Sequence, residues 1–108
     1  MTLAELAAAL KTLNMPVAYD HFDSDDNNPY PDPPFLVYLY AYSNDLYADD
    51  VNYKSIDDIQ IELYTDKKDV AAEQKVESKL TEIRLPYSKI GTWIDSEKLY
   101  QMIYDVTL

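Results

Sequence analysis

The sequence predicts an α+β fold, a two-layer sandwich with two helices on one face of a mainly antiparallel sheet. Three observations lead there. Two segments carry one apolar stripe each at helical spacing, several others alternate between apolar and polar residues at period two, and 108 residues hold one hydrophobic core. The expected element order is α-β-β-β-α-β-β, and residues 1–108 form one domain.

Thr2 followed by Glu5 is a capping-box pair, and Leu3, Leu6, Leu10 and Leu13 recur at three- and four-residue steps. A first helix therefore starts at Thr2 and ends before Pro16. Val17 to Phe22 forms a short strand. Asp23 to Pro34 is rich in Asp, Asn and Pro, which disfavour a regular ladder, and reads as a loop.

From Phe35 the alternation sets Phe35, Val37, Leu39 and Ala41 on one face and Leu36, Tyr38, Tyr40 and Tyr42 on the other. Ser43 to Lys54 is a long polar connection. The next strand points Ile59, Ile61 and Leu63 one way and Asp58, Gln60, Glu62 and Tyr64 the other. Asp66 caps a second helix over about 67–83 with the stripe Val70, Ala72, Val76, Leu80 and Ile83, and Pro86 ends that element. Tyr87 to Ile94 and Lys98 to Val106 are strands joined through Asp95, Ser96 and Glu97. Leu6, Leu10, Val37, Leu39, Ile61, Leu63, Val76 and Leu80 are expected to share one core.

Composition restricts function. The 47% apolar content supports a packed core, and the absence of cysteine excludes disulfides, thiol nucleophiles and Cys-ligated zinc. No apolar run reaches the roughly 18 residues that cross a bilayer. The Met1 to Glu5 start lacks the basic residues of a signal peptide, so export by the general route is not expected. A formal net charge of -11 opposes direct binding to nucleic acid or anionic membrane, and ten Asp residues between Asp20 and Asp58 face only Lys54. One end or face is expected to be strongly negative.

No catalytic constellation is evident, so no enzyme activity, cofactor or metal is expected. His21, the only histidine, has no Ser partner and no Gly-rich oxyanion turn nearby. Asp23, Asp25 and Asn27 match the first ligands of a calcium loop, but Asn28 replaces its turn glycine and Pro34 its bidentate glutamate. Eleven tyrosines exceed what a core of this size needs. Tyr38, Tyr40 and Tyr42, with Tyr47, Asp49, Asp50 and Tyr53 of the long connection, form the candidate protein interface. An equally weighted alternative is that these tyrosines pack on their own sheet.

Five strings resemble a family of small tail-completion, tail-terminator-like or head-tail joining proteins of long-tailed phages and prophages of Gram-positive bacteria. They are Pro16 to Phe22, Pro33 to Tyr38, Tyr47 to Asp49, Ile61 to Lys68 and Ser96 to Tyr100. The chain departs from that family at Asp50, where members often carry Asn, and at Gly91, a strand position usually polar or bulky. The resemblance implies a structural morphogenesis protein located in the virion tail or neck and synthesised in the bacterial cytoplasm. Its implied partners are itself, as a ring-like homo-oligomer or hexamer, and tail-tube or head-connector subunits. The clustered Asp residues motivate an alternative, an acidic phage-encoded inhibitor that mimics DNA and occupies a host nucleic-acid-binding protein.

Overall fold

The structure is a computed structural model that describes residues 1–24, 27, 29–43, 46–48, 51–54 and 57–108, with the side chains of 42–43, 46–48 and 51–54 left undescribed. Its elements are α1 (Leu3–Lys11), β1 (Val17–Tyr19), β2 (Phe35–Ser43), β3 (Leu46–Ala48), β4 (Val51–Lys54), β5 (Asp57–Thr65), α2 (Val70–Glu82), β6 (Tyr87–Ile94) and β7 (Leu99–Thr107). The main sheet has the order β1-β2-β5-β7-β6, with β1 parallel to β2 and every other neighbouring pair antiparallel. Two helices and this sheet give the α-β-β-β-α-β-β order predicted above. The expected polar connection at 43–54 additionally contains an antiparallel ribbon, β3 with β4. Among the described residues no helix is long and apolar enough to cross a membrane.

Local sequence explains both helices. At α1 the Thr2 hydroxyl accepts from the Glu5 amide and the Glu5 carboxylate accepts from the Thr2 amide, each at 3.1 Å. Two otherwise orphaned donors are thereby satisfied. The cap of α2 is Asp69 rather than Asp66. Its carboxylate accepts from the Ala72 amide at 3.0 Å, so the helix starts three residues later than its composition suggests. Ala72, Val76 and Leu80 face inward as expected and are joined by Glu73, whereas Val70 of the expected stripe is exposed. The helix ends in a Schellman arrangement, with Leu85 N–H donating to the Leu80 carbonyl and Arg84 N–H to that of Thr81, and Arg84 at φ 61°.

Leu6 and Leu10 of α1 and Val76 and Leu80 of α2 bury against Leu36, Ile59, Ile61, Leu63, Met102, Tyr104 and Val106 of the sheet. Strand β5 alternates as expected, with Ile59, Ile61 and Leu63 inward. Strand β2 presents the other face. Its register sets Leu36 opposite Leu63 and Tyr38 opposite Ile61, so Leu36 and Tyr38 meet the helices while Val37 and Leu39 turn to the opposite side of the sheet. Val37 is still buried, and Leu39 is half-buried. Strands β1 and β2 run parallel, and Phe22, just beyond β1, packs edge-to-face on Phe35, centroids 5.5 Å apart. Asp20, at φ 65°, ends β1 short of the predicted Phe22.

Gly91 of β6 has a packing reason. A Cβ there would run into the Tyr100 hydroxyl and lie 2.9 Å from its Cζ. The phenol of Tyr100 lies over the gap in β6, and the Lys68 ammonium sits 5.3 Å from its ring centroid. That occupancy accounts for a glycine in the middle of β6.

Candidate functional site

The predicted interface residues separate by environment. Tyr38 is half-buried against the core, so its ring contributes to packing. Tyr40 is 44% exposed, and Tyr19 on the edge strand β1 is 46% exposed. Tyr19 contacts both neighbours edge-on, at 5.3 Å from Tyr38 and 6.5 Å from Tyr40. The structure therefore gathers Tyr19, Tyr38 and Tyr40, and the sequence reading missed Tyr19 because β1 and β2 are joined only by long-range pairing. A register shift between Tyr40 and Tyr42 pairs Tyr42 with Asp58, so the regular alternation that would extend the tyrosine row is interrupted there. Tyr47 and Tyr53 lie on the ribbon strands β3 and β4, with their side chains outside the described residues. Asp49 and Asp50 also lie outside them.

At the opposite sheet edge β6 is exposed along nearly its whole length, with Ile90 at 62% and Trp93 at 46% exposure. An edge strand of this kind offers unpaired backbone groups together with apolar side chains. The main sheet thus has an aromatic group at its β1 edge and an open strand at its β6 edge.

His21 lies beyond the end of β1. Its Nδ1 is 2.9 Å from an Asp20 carboxylate oxygen and its Nε2 3.1 Å from one of Asp23. Those contacts, Asp20 first and Asp23 second, raise its pKa above the ordinary value and favour the imidazolium, which donates to both carboxylates. Among the described residues no group of three His, Cys, Asp or Glu side chains could hold a metal ion. Asp25 and Asn28 of the rejected calcium pattern lie outside the described residues.

Below His21, on the sheet face away from the helices, lies a cavity of about 390 Å³. Phe22, Tyr30, Phe35 and Tyr64 contribute aromatic surface, with Asp20 and Glu97 among its polar residues. Phe35 stacks on Tyr64 with centroids 5.1 Å apart. The Tyr64 hydroxyl donates to Glu62 and accepts from Gln101, both at 2.8 Å, while burial, then Glu62, pushes its pKa up to about 12. The sequence signal was the cluster of aromatic and proline residues at 22–35, but its partners at 64 and 94–99 come together only through strand pairing.

Two acidic groups of α2 tie it to its surroundings, Glu73 to the connection before the helix and Glu77 to the sheet. Glu73 is buried and accepts from Lys68 Nζ through both oxygens at 2.7 Å. Glu77 accepts from the hydroxyls of Tyr104 at 2.8 Å and Tyr87 at 3.2 Å and from Lys89 Nζ at 3.0 Å. Burial works to raise the Glu77 carboxyl, but Tyr104, Lys89 and Tyr87 outweigh it and hold its pKa below the ordinary value. These contacts fasten a helix; they do not line the cavity.

No family model matches the chain, and a search of curated proteins finds no match to its sequence.

Proposed function

We propose that the protein is a structural phage-assembly component, acting in tail completion or head-tail joining by self-association and by docking onto tail-tube or connector subunits. The observation that carries this reading is the β3–β4 ribbon. Its strands pair with each other and with no strand of the main sheet among the described residues, in a molecule with principal extents of 50, 31 and 25 Å. An isolated two-stranded ribbon is marginal in water, so an arm of this kind gains order from a surface against which it packs. The exposed Tyr19 and Tyr40 at one edge and the open β6 edge supply two further contact surfaces on the same subunit.

The deciding experiment measures solution mass by light scattering, with and without purified tail-tube protein, for the intact chain and for a variant whose residues 46–54 are replaced by a tight turn. The expected result is a concentration-dependent oligomer or a tail-tube complex for the intact chain, lost in a shortened variant that still melts cooperatively. A chain that stays monomeric at every concentration and ignores tail-tube protein would rule the reading out. The acidic-inhibitor alternative draws support from the ten Asp residues between Asp20 and Asp58. It predicts displacement of DNA from a basic host protein, which the structural reading does not.

A further inference from the structure

The cavity on the open sheet face has a composition that selects among occupants. Its walls include Phe22, Tyr30, Phe35 and Tyr64, and its ionisable residues among those described include Asp20, His21 and Glu97. The wall is braced, because Phe35 is held between Phe22 and Tyr64 and the Tyr64 hydroxyl is fixed at both ends by Glu62 and Gln101. Its volume of about 390 Å³ falls at the small end of ligand pockets, enough for one or two side chains.

Charge narrows the choice. An anion would meet the carboxylates of Asp20 and Glu97, and the one basic side chain in the described lining, His21, is already engaged by Asp20 and Asp23 in a chain of net charge -11. A purely apolar group would leave the Glu97 carboxylate without compensation as water is expelled from around it. A cation with a flat, weakly hydrated face satisfies both parts, stacking on the rings and donating to the free carboxylate. Asp20 already shares His21 with Asp23, whereas Glu97 has no ion pair among the described residues, so Glu97 is the principal acceptor. Lys98, beside it in sequence, is engaged by Asp95 at 2.8 Å.

We propose that this pocket receives an arginine side chain from a segment of a partner protein, with the guanidinium stacked on the aromatic wall and hydrogen-bonded to Glu97. Arginine fits better than lysine because its planar fork stacks and pairs at once, whereas an ammonium retains a tighter water shell. The aliphatic stem lies along Val37 and Leu99, which also line the cavity. The proposal does not depend on the assembly reading, since it concerns the recognition chemistry and not the identity of the partner.

The test titrates the isotopically labelled full chain with the blocked peptide Ala-Leu-Arg-Leu-Ala and follows backbone amide shifts. Saturable shifts are expected at Phe22, Phe35, Tyr64 and Glu97. Affinity should fall about tenfold when citrulline replaces the peptide arginine, because a charge-assisted pair becomes a neutral one. Glu97→Gln and Tyr30→Ala, both at exposed positions, should each weaken binding at least about threefold with melting temperature unchanged. Equal affinity for the citrulline peptide, an unaffected Glu97→Gln variant, or shifts confined to another surface would overturn the proposal. So would absence of saturation, or ethylguanidinium binding as tightly as the peptide, which would assign the pocket to a small free cation.

Discussion

Replacing Glu77 by glutamine should destabilise the fold by about 1–2 kcal/mol near neutral pH, and the loss should fade in acid. The carboxylate accepts from a Tyr104 residue that is 0% exposed, and burial followed by Glu77 raises the pKa of that hydroxyl far above its ordinary range, so it stays a donor. Hydrogen bonds to charged acceptors contribute about 1.5–3 kcal/mol and neutral ones about 0.5–1.5, so neutralising the acceptor loses about 1 kcal/mol. Lys89, itself 43% exposed, adds no more than about 0.5 kcal/mol because solvent screens the pair. Glu77 has a folded pKa below its ordinary 4.5, so its charge-dependent stabilisation is present above the unfolded value and is lost as pH falls through the folded one. Urea denaturation of wild type, Glu77→Gln, Tyr104→Phe and the double variant, at neutral pH and again in acid, measures this directly. The single Gln variant should lower the urea midpoint by about 0.5–1 M with an unchanged slope, and coupling with Tyr104→Phe should be about 1 kcal/mol. Coupling below about 0.3 kcal/mol at neutral pH, or a Gln penalty that persists undiminished in acid, would refute the reasoning.

Leu36→Ala should cost about 2–5 kcal/mol because its side chain is fully buried beneath the helices, whereas Leu39→Ala on the opposite, half-buried face should cost well under half as much. Equal shifts in denaturation midpoint would contradict the assigned face of β2. Gly91→Ala should destabilise by about 1–3 kcal/mol by displacing Tyr100, and Tyr100→Phe should recover part of that loss because the hydroxyl is the nearest obstacle. A neutral Gly91→Ala in thermal melts would show that Tyr100 moves aside freely. Chelator should leave the melting temperature unchanged, since Asn28 and Pro34 replace the glycine and glutamate of a calcium loop. A saturable calcium stabilisation at micromolar concentration would disprove that.

How far the sequence discloses the fold depends on whether each choice is made locally. The first helix is legible because its cap, stripe and stop all lie within sixteen residues, and β5 is legible because only one of its faces is apolar. Strand β2 is apolar on both faces, so its alternation separates Leu36 from Val37 without saying which side the helices cover. That is decided by the Leu36–Leu63 register and by the packing of Phe22 on Phe35 on the other side, neither of which is a property of β2 alone. The start of α2 is ambiguous for a related reason, as Asp66 and Asp69 are both competent caps and nothing in the intervening residues chooses between them. The same logic governs the sites. A tyrosine-rich strand signals a contact surface, yet Tyr19 joins it only once β1 pairs with β2, and the cavity exists only once residues near 22, 64 and 97 meet. Glu73 and Glu77 would read as solvated charges on a helical wheel. The hydrogen bonds that Glu73 accepts from Lys68, and Glu77 from Tyr104 and Lys89, mean that the polar contacts of α2 are written in pairs whose members are recognisable only together.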